Sequence, residues 1–359
     1  MYDLVIRGGT IVDGTGGASF VGDLAIEKEK IVQVGGNIGP GEKELDAGGL
    51  LVTPGFVDIH THYDGQATWD QHLTPTGWHG VTTVVMGNCG VGFAPARPDQ
   101  HDWLIQLMEG VEDIPGSALA EGINWDWETF PQYLDALEKF DRSIDIGTQI
   151  PHGAVRAYVM GERSDQVATP DDIEKMSVIV EEALAAGALG FTSSRTMLHR
   201  AKDGEPVPGT FAGHDELMSL GRACGRAGHG VFEISSDFGM GGMHGRFRED
   251  VDWMSALSKE TGLPISFILA QASHHPDEWR EILHWTEQAV SAGANLRAQV
   301  AARPAGMLMN FDNPMHPFKG HPTYLKVAAL SLEDKVKALS VPMTRNQLVD
   351  ESSTLKGKF

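Results

Sequence analysis

From about residue 53 the chain alternates short apolar, β-branched runs with amphipathic helical stretches, and this alternation restricts the fold more than any other feature. The runs fall at 56–60, 81–85, 144–150, 188–192, 230–235, 264–270 and 295–301. Strands joined through helices run parallel, because the helix carries the chain back to the end where the next strand must begin. The clearest helix signal is Thr169-Pro170-Asp171-Asp172, which supplies an N-cap, a proline at the first helical position and acids in the first turn. Ile173, Met176, Val180, Ala183 and Leu184 then recur on one face, and Gly187 marks the stop. The stretches from Glu249 to Thr261 and from Asp277 to Ala292 behave alike, each closing on a glycine before a strand. The pattern predicts an α/β fold of the TIM-like (β/α) barrel type. It is incomplete, with seven of the eight strands visible.

After Ala301 come a Pro/Gly/Met-rich loop, a helical stretch around Thr323 to Leu339 and a polar tail, with no eighth β-branched run. Open edges on the first and seventh strands would favour association, as a homo-oligomer, or poor solubility, and the sequence leaves the oligomeric state open. The chain reads as a truncated form of a longer protein. Residues 1–52 read as a small β domain, the N-terminal part of a β-sandwich, with runs at Leu4-Val5-Ile6, Thr10-Ile11-Val12, Leu24-Ala25-Ile26 and Ile31-Val32-Gln33-Val34. These strands are too few to bury a core alone, so their partners are expected from the far C-terminus. The expected division is 1–52 for the β domain, 53–340 for the barrel and 341–359 for the tail.

Charge narrows the partners. With 28 Lys plus Arg against 49 Asp plus Glu, the formal net charge is -21, which repels phosphates and argues against a nucleic-acid partner. Only Cys89 and Cys224 are present, so no disulfide framework exists. The N-terminus lacks the basic and apolar regions of a leader, and no run of about 18 apolar residues occurs, so no membrane partner and a cytoplasmic location are expected.

The strongest chemical signal is Pro54-Gly55-Phe56-Val57-Asp58-Ile59-His60-Thr61-His62. On a strand, residues i and i+2 share a face, so both imidazoles point into the barrel at its C-terminal end, where barrel active sites form. Neutral imidazole is a common zinc ligand, and two on one rigid element preorganise half a coordination sphere. Asp64 follows closely enough to fix an imidazole tautomer.

This segment resembles the amidohydrolase superfamily. Met86-Gly87-Asn88-Cys89-Gly90-Val91-Gly92-Phe93-Ala94-Pro95, with Glu112-Asp113-Ile114-Pro115 and Trp125-Asp126-Trp127-Glu128, is similar to its N-acyl-D-amino-acid deacylase (D-aminoacylase) branch, over residues 1 to about 340. The resemblance implies a metal-dependent hydrolase barrel carrying one or two divalent ions, zinc foremost, with a small-molecule N-acyl amino acid as substrate. It implies deacylation by metal-activated water, and it maps the branch's bridging cysteine onto Cys89. Physically, a thiol among glycines lets the backbone approach a cation closely, and the cation deprotonates it. The plainer alternative makes Cys89 a small buried hydrophobe. Strand 4 carries no lysine for carboxylation, in keeping with the cysteine branch.

The departures from the resemblance are equally specific. The strand-5 run Gly230 to Asp237 has no histidine at its end, and Glu233 is the nearest metal ligand or a support behind one. The strand-6 run ends in Gln271, and His274-His275 fall later in a loop. The aspartate that the superfamily places at the end of strand 8 to move protons is not found. His152 either lines the site for substrate or makes a structural hydrogen bond. Arg156 and Arg195 either fork a substrate carboxylate or brace loops. The alternative function is a non-catalytic amidohydrolase-fold protein with a binding or assembly role.

Overall fold

A computed structural model of the chain describes residues 1–238, 247–272, 275–301, 306, 311 and 316–354. The backbone divides into two compact units, Met1–Val57 with Pro75–Thr83, and Asp58–Thr74 with Val84–Phe359.

The first unit holds a five-stranded sheet of β1 (Tyr2–Ile11), β2 (Phe20–Glu27), β3 (Lys30–Val34), β4 (Gly41–Asp46) and β5 (Leu51–Val52), ordered β3-β2-β1-β4 with β5 also on β1. The runs at Leu4 and Thr10 are one strand. Gly8, at φ +67°, supplies a bulge where the pairing with β2 shifts between Ile6 and Gly9. Strand β4 is polar except for Leu45, so its sequence carries no β-branched signal, yet it pairs in parallel with β1. Val5, Ala25 and Ile38 form the buried cluster beneath the sheet. Arg7 ties it together at its rim, 2.8 Å from Asp23 and 2.7 Å from Glu44.

The strands that follow are β6 (Phe56–Asp58), β7 (Val81–Met86), β8 (Asp145–Thr148), β9 (Ile150–Pro151), β10 (Gly190–Ser194), β11 (Val231–Ser235), β12 (Ile265–Ile268) and β13 (Leu296–Gln299). One sheet runs β6-β7-β8 and the other β9-β10-β11-β12-β13, every neighbour in chain order. Only Gln149 separates β8 from β9, and its N–H donates to Met86 at 2.9 Å, so all seven expected runs are present in one succession. The pairs from β9 to β13 are parallel. Helices Pro170–Ala186, His214–Arg226, Phe247–Thr261 and Glu278–Ser291 precede β10, β11, β12 and β13 in turn. The stretch from Thr323 to Leu339 divides into helices Pro322–Leu325 and Leu332–Leu339, and a further helix spans Pro342–Asp350.

Alternation along the strands sets up two faces. Phe191, Phe232, Ile265, Phe267 and Leu296 are buried on the face that packs under the helices, where the Phe191 and Phe232 rings lie 5.1 Å apart. The opposite face carries Thr192, Ser194, Glu233, Ser235, Ser266 and Gln299, polar groups that a simple core would exclude.

The helix Pro170–Ala186 begins at a reciprocal cap. The Thr169 hydroxyl accepts from the Asp172 N–H, and Asp172 accepts from the Thr169 N–H at 2.9 Å, with Arg163 also 2.9 Å from its carboxylate. Thr169→Ala should therefore cost about 1 kcal/mol of stability. Chemical denaturation would measure this, and an unchanged midpoint would show that Arg163 alone holds the helix end.

Candidate metal centre

His60 and His62 lie just beyond β6, held by Thr61 between them. The Thr61 N–H and hydroxyl both donate to the Val85 carbonyl, at 3.0 and 2.7 Å. The two imidazoles meet edge-on with ring centroids 5.5 Å apart, which places them on one side of the backbone.

Cys89 reaches them from the turn after β7. The Asn88 amide pins this turn by donating to the Thr61 and Val85 carbonyls, at 3.2 and 2.9 Å, and by accepting from Gln149 at 2.9 Å. Cys89 itself takes a left-handed conformation at φ +59°, which costs a residue with a side chain about 1–2 kcal/mol. Gly87 and Gly90 flank it at φ +78° and +70°. A Cβ on Gly87 would sit 2.0 Å from the Gln149 carbonyl oxygen, and one on Gly90 2.8 Å from the Ser194 nitrogen. Gly87→Ala should thus destabilise the fold by more than about 2 kcal/mol and displace the thiol. Melting curves that match the parent protein would show that the turn has room to shift.

Around the thiol the contacts are specific. His60 Nε2 lies 3.2 Å from Cys89 Sγ, and the Ser235 hydroxyl donates to Sγ at 3.0 Å. The Cys89 N–H donates to Glu233 Oε2 at 3.3 Å, and Glu233 Oε1 is 3.9 Å from His60 Nδ1. Gln299 orients His60: its amide nitrogen donates to Ser266 Oγ at 2.8 Å, leaving Oε1 2.9 Å from His60 Nδ1. That arrangement puts the proton on Nδ1 and aims the Nε2 lone pair at the thiol.

The structure adds Glu112 and His199, which the sequence reading had not singled out as ligands. The donor atoms of His60, His62 and Cys89 lie within 4.8 Å of one another, and so do those of Cys89, Glu112 and His199. Glu112 is the last residue of the helix His101–Glu112, and its Oε1 is 3.2 Å from His62 Nε2. Its signal is local: Glu112 and Asp113 put two acids at a helix C-terminus, against the helix dipole, and Asp113 takes a left-handed φ of +57°. His199 sits in the loop after β10 with Nδ1 3.1 Å from Ser194 Oγ, and nothing in its sequence neighbourhood distinguishes it.

Burial dominates the electrostatics. It pushes His62 down to about 3, with His60 adding to the effect, and His199 down to about 4 against the pull of Glu112. Both imidazoles are therefore held neutral, the form that ligates a metal. Burial also raises Asp64 and Glu233 to about 8, lifts Glu112 and drives the Cys89 thiol well up, with Glu112 and Glu233 raising the thiol further. A divalent cation reverses this logic by favouring thiolate and carboxylate. Among the described residues, buried His62 Nδ1 and Asp64 Oδ2 have no hydrogen-bond partner. Imidazole, thiolate and carboxylate together suit zinc.

Other candidates take different places. His152 is fully buried on the helix-facing side of β10, with Nδ1 2.8 Å from Ser193 Oγ and Nε2 2.9 Å from Glu216. Arg195 donates to the Ala212 carbonyl at 2.8 Å and lies 3.6 Å from Asp250, an arrangement that braces the loop before the helix His214–Arg226. Asp64 accepts no proton from either imidazole among the described contacts; its carbonyl receives the Tyr133 hydroxyl at 2.7 Å. His274 lies outside the described residues, and the His275 N–H closes a turn onto the Ala272 carbonyl at 3.1 Å.

Residues 43–342 match the sequence model of the amidohydrolase family. The chain belongs to the amidohydrolase family. Among curated amidohydrolase relatives, the D-aminoacylase of Alcaligenes xylosoxydans xylosoxydans is 34% identical over 193 residues, covering 54% of this chain and 37% of the relative. The N-acyl-D-glutamate deacylase of the same organism is 29% identical over 337 residues, covering 90% of this chain and 58% of the relative. A D-aminoacylase structure described for its binuclear metal centre superposes with a TM-score of 0.67 at 25% identity, covering 83% of this chain and 58% of that one. The chain thus spans less than two thirds of these amidohydrolases. Its architecture is theirs, of the TIM-barrel type. No helix among the described residues is long and apolar enough to cross a membrane.

Proposed function

We propose that this amidohydrolase is a metal-dependent hydrolase of carbon–nitrogen bonds other than peptide bonds, converting N-acyl-D-amino acids to a carboxylate and the free amino acid. The observation that carries the reading is the convergence of His60, His62 and Cys89 donor atoms within 4.8 Å on the polar face of the strands. The deacylase names of the relatives support the substrate class.

In this reading His60, His62 and Cys89 would hold a zinc ion, with Glu233, which falls outside that triad, supporting it through the Cys89 N–H. The ion supplies Lewis acidity, polarising the scissile carbonyl and easing ionisation of water. The protein's own residues set the geometry. Gln299 fixes the His60 tautomer, Ser235 hydrogen-bonds the sulfur, and Glu233 Oε2 takes the Cys89 N–H. The thiol is 3% exposed, so solvent competes little for the site.

Zinc-loaded and chelator-stripped protein should be assayed on a panel of N-acyl-D- and N-acyl-L-amino acids. The expected result is hydrolysis of D-substrates that disappears on stripping, returns with zinc, and is lost together with the zinc in His60→Ala/His62→Ala. Stoichiometric zinc without turnover of any acyl amino acid would favour the non-catalytic binding role instead.

A further inference from the structure

Resting on the metal reading above, we propose that Thr192 is a positioning residue for the metal centre. Its single hydroxyl clasps the turn after β7 on both sides of Cys89 and so fixes where the sulfur meets the ion. Strand β10 serves the centre in this way without supplying a ligand.

Thr192 is fully buried in β10. Its Oγ1 donates to the Gly87 carbonyl at 2.5 Å and accepts the Gly90 N–H at 3.1 Å. A hydroxyl has one proton to give and lone pairs to receive with, so one oxygen can make both bonds. Glu233 is paired with Thr192 in the β10–β11 register, and it accepts the N–H of the intervening Cys89 at 3.3 Å. Two side chains on neighbouring strands thus hold three backbone groups of one short turn. The Asn88 amide holds the same turn to Thr61, Val85 and Gln149.

The turn needs this hold. Gly87, Cys89 and Gly90 all have positive φ. A cysteine persists in that region only where its surroundings over-determine the backbone. Without the hydroxyl, the Gly87 carbonyl and the Gly90 N–H would lose these bonds while buried, and the turn would shift to find others. It can shift only away from β10, because a Cβ on Gly90 would already sit 2.8 Å from the Ser194 nitrogen. One side-chain torsion separates the cysteine backbone from its sulfur, so a displaced turn carries Sγ with it. Contacts of 3.2 Å to His60 Nε2 and 3.0 Å to the Ser235 hydroxyl leave the sulfur little slack.

The test compares Thr192→Val, which keeps the shape and removes the hydroxyl, with Thr192→Ser, which keeps the hydroxyl. All measurements use the full chain, with Zn2+ and Co2+ as the only metal probes. Thr192→Val should weaken zinc binding by about 10–100-fold in chelator competition, the range for a residue that orients a ligand. It should also change the thiolate-to-cobalt absorption band. In metal-free protein it should speed alkylation of Cys89, followed by peptide mass mapping so that Cys224 is read separately. Thr192→Ser should return affinity, spectrum and alkylation rate toward the parent. Thr169→Ala, which loosens a helix cap and touches no group of the turn, should leave all three unchanged. Thr192→Ala takes the place of Thr192→Val should the latter fold poorly. Parent-like affinity, spectrum and alkylation in the hydroxyl-free variant would overturn the proposal, and so would equal losses in Thr192→Ser or in Thr169→Ala. A parent protein that binds neither ion would overturn the metal reading; with no ion to meet, the role of Thr192 would fall with it. Zinc binding that survives in the parent and is indifferent to Thr192 would overturn the positioning role alone.

Discussion

Cys89→Ser should abolish stoichiometric zinc binding and lower hydrolysis by at least about 100-fold, more than the loss expected of a residue that merely orients a ligand. Serine keeps the volume and the left-handed backbone of the turn but offers a hydroxyl that a cation at neutral pH ionises far less readily than a thiol. The expectation follows from placement. The sulfur lies 3.2 Å from His60 Nε2 and receives the Ser235 hydroxyl at 3.0 Å, and it is the one donor common to both ligand triads. Stability should move little, because the swap leaves the Asn88 pins and the flanking glycines in place. Elemental analysis, steady-state rates and a thermal melt on the same preparation separate these effects. A variant with full zinc content and unchanged rates would reduce Cys89 to a buried apolar side chain.

The second large effect lies away from the ligands. Arg156, Glu216 and His152 are 3%, 4% and 0% exposed and form one ion-pair network with Ser193 between β10 and its covering helices. Arg156 also donates to the Ser164 carbonyl at 2.9 Å and to that of Gln166. Glu216→Ala removes the only carboxylate in the network and strands a buried guanidinium, which should cost about 3–5 kcal/mol. Replacing Arg156 with Met and Glu216 with Leu together should cost less than Glu216→Ala alone, since no buried charge is then left unpaired. Urea denaturation of the three proteins checks the order, and a milder single variant would show that water reaches the guanidinium.

The same network gives an acid limit with a definite sign. Burial pushes the Glu216 carboxyl up, but the His152 and Arg156 contacts outweigh it and hold it at about 2, below the ordinary 4.5. Its stabilisation is complete above pH 4.5 and is lost as pH falls toward 2. Burial holds His152 below its ordinary 6.5 despite Glu216, so below that pH the unfolded chain takes up a proton the native chain resists. Both groups weaken the fold on acidification. Glu216→Gln should flatten the melting temperature between pH 4.5 and 2 relative to the parent; an equally steep decline would place the acid sensitivity elsewhere.

Much of the barrel was legible because its strands are short apolar runs with turn residues at each end, and all seven runs became strands in order. Strand β4 was not, because Glu42, Lys43 and Glu44 are exposed and owe their extended form to pairing with β1. The glycines at Gly8 and Gly9 read as a break, whereas the bulge they form carries β1 onward. In the site, His60, His62, Cys89 and Glu233 could be singled out because each rides on a strand or the turn after one, where period and turn chemistry are local. Glu112 and His199 arrive by tertiary packing of a helix end and a loop, which no local period encodes. His152 and Arg195 illustrate the converse: both stand after strand ends, but their partners, Glu216 and Ala212, are 64 and 17 residues away and were invisible in the sequence.

The Gln299–His60 contact joins residues 239 apart in the chain, and the Ser235–Cys89 contact joins residues 146 apart. Contacts of such long range form late, because each closes a large loop before it yields any energy. At about 5–20 residues per second of synthesis, Cys89 waits roughly 7–30 s for Ser235 to be made. During that interval the thiol lacks the Ser235 hydroxyl and the strands that follow it, and is more open to oxidants and stray metals than in the finished fold. Supply of a reduced chain and the right metal during synthesis is thus as much a condition for the centre as the finished geometry.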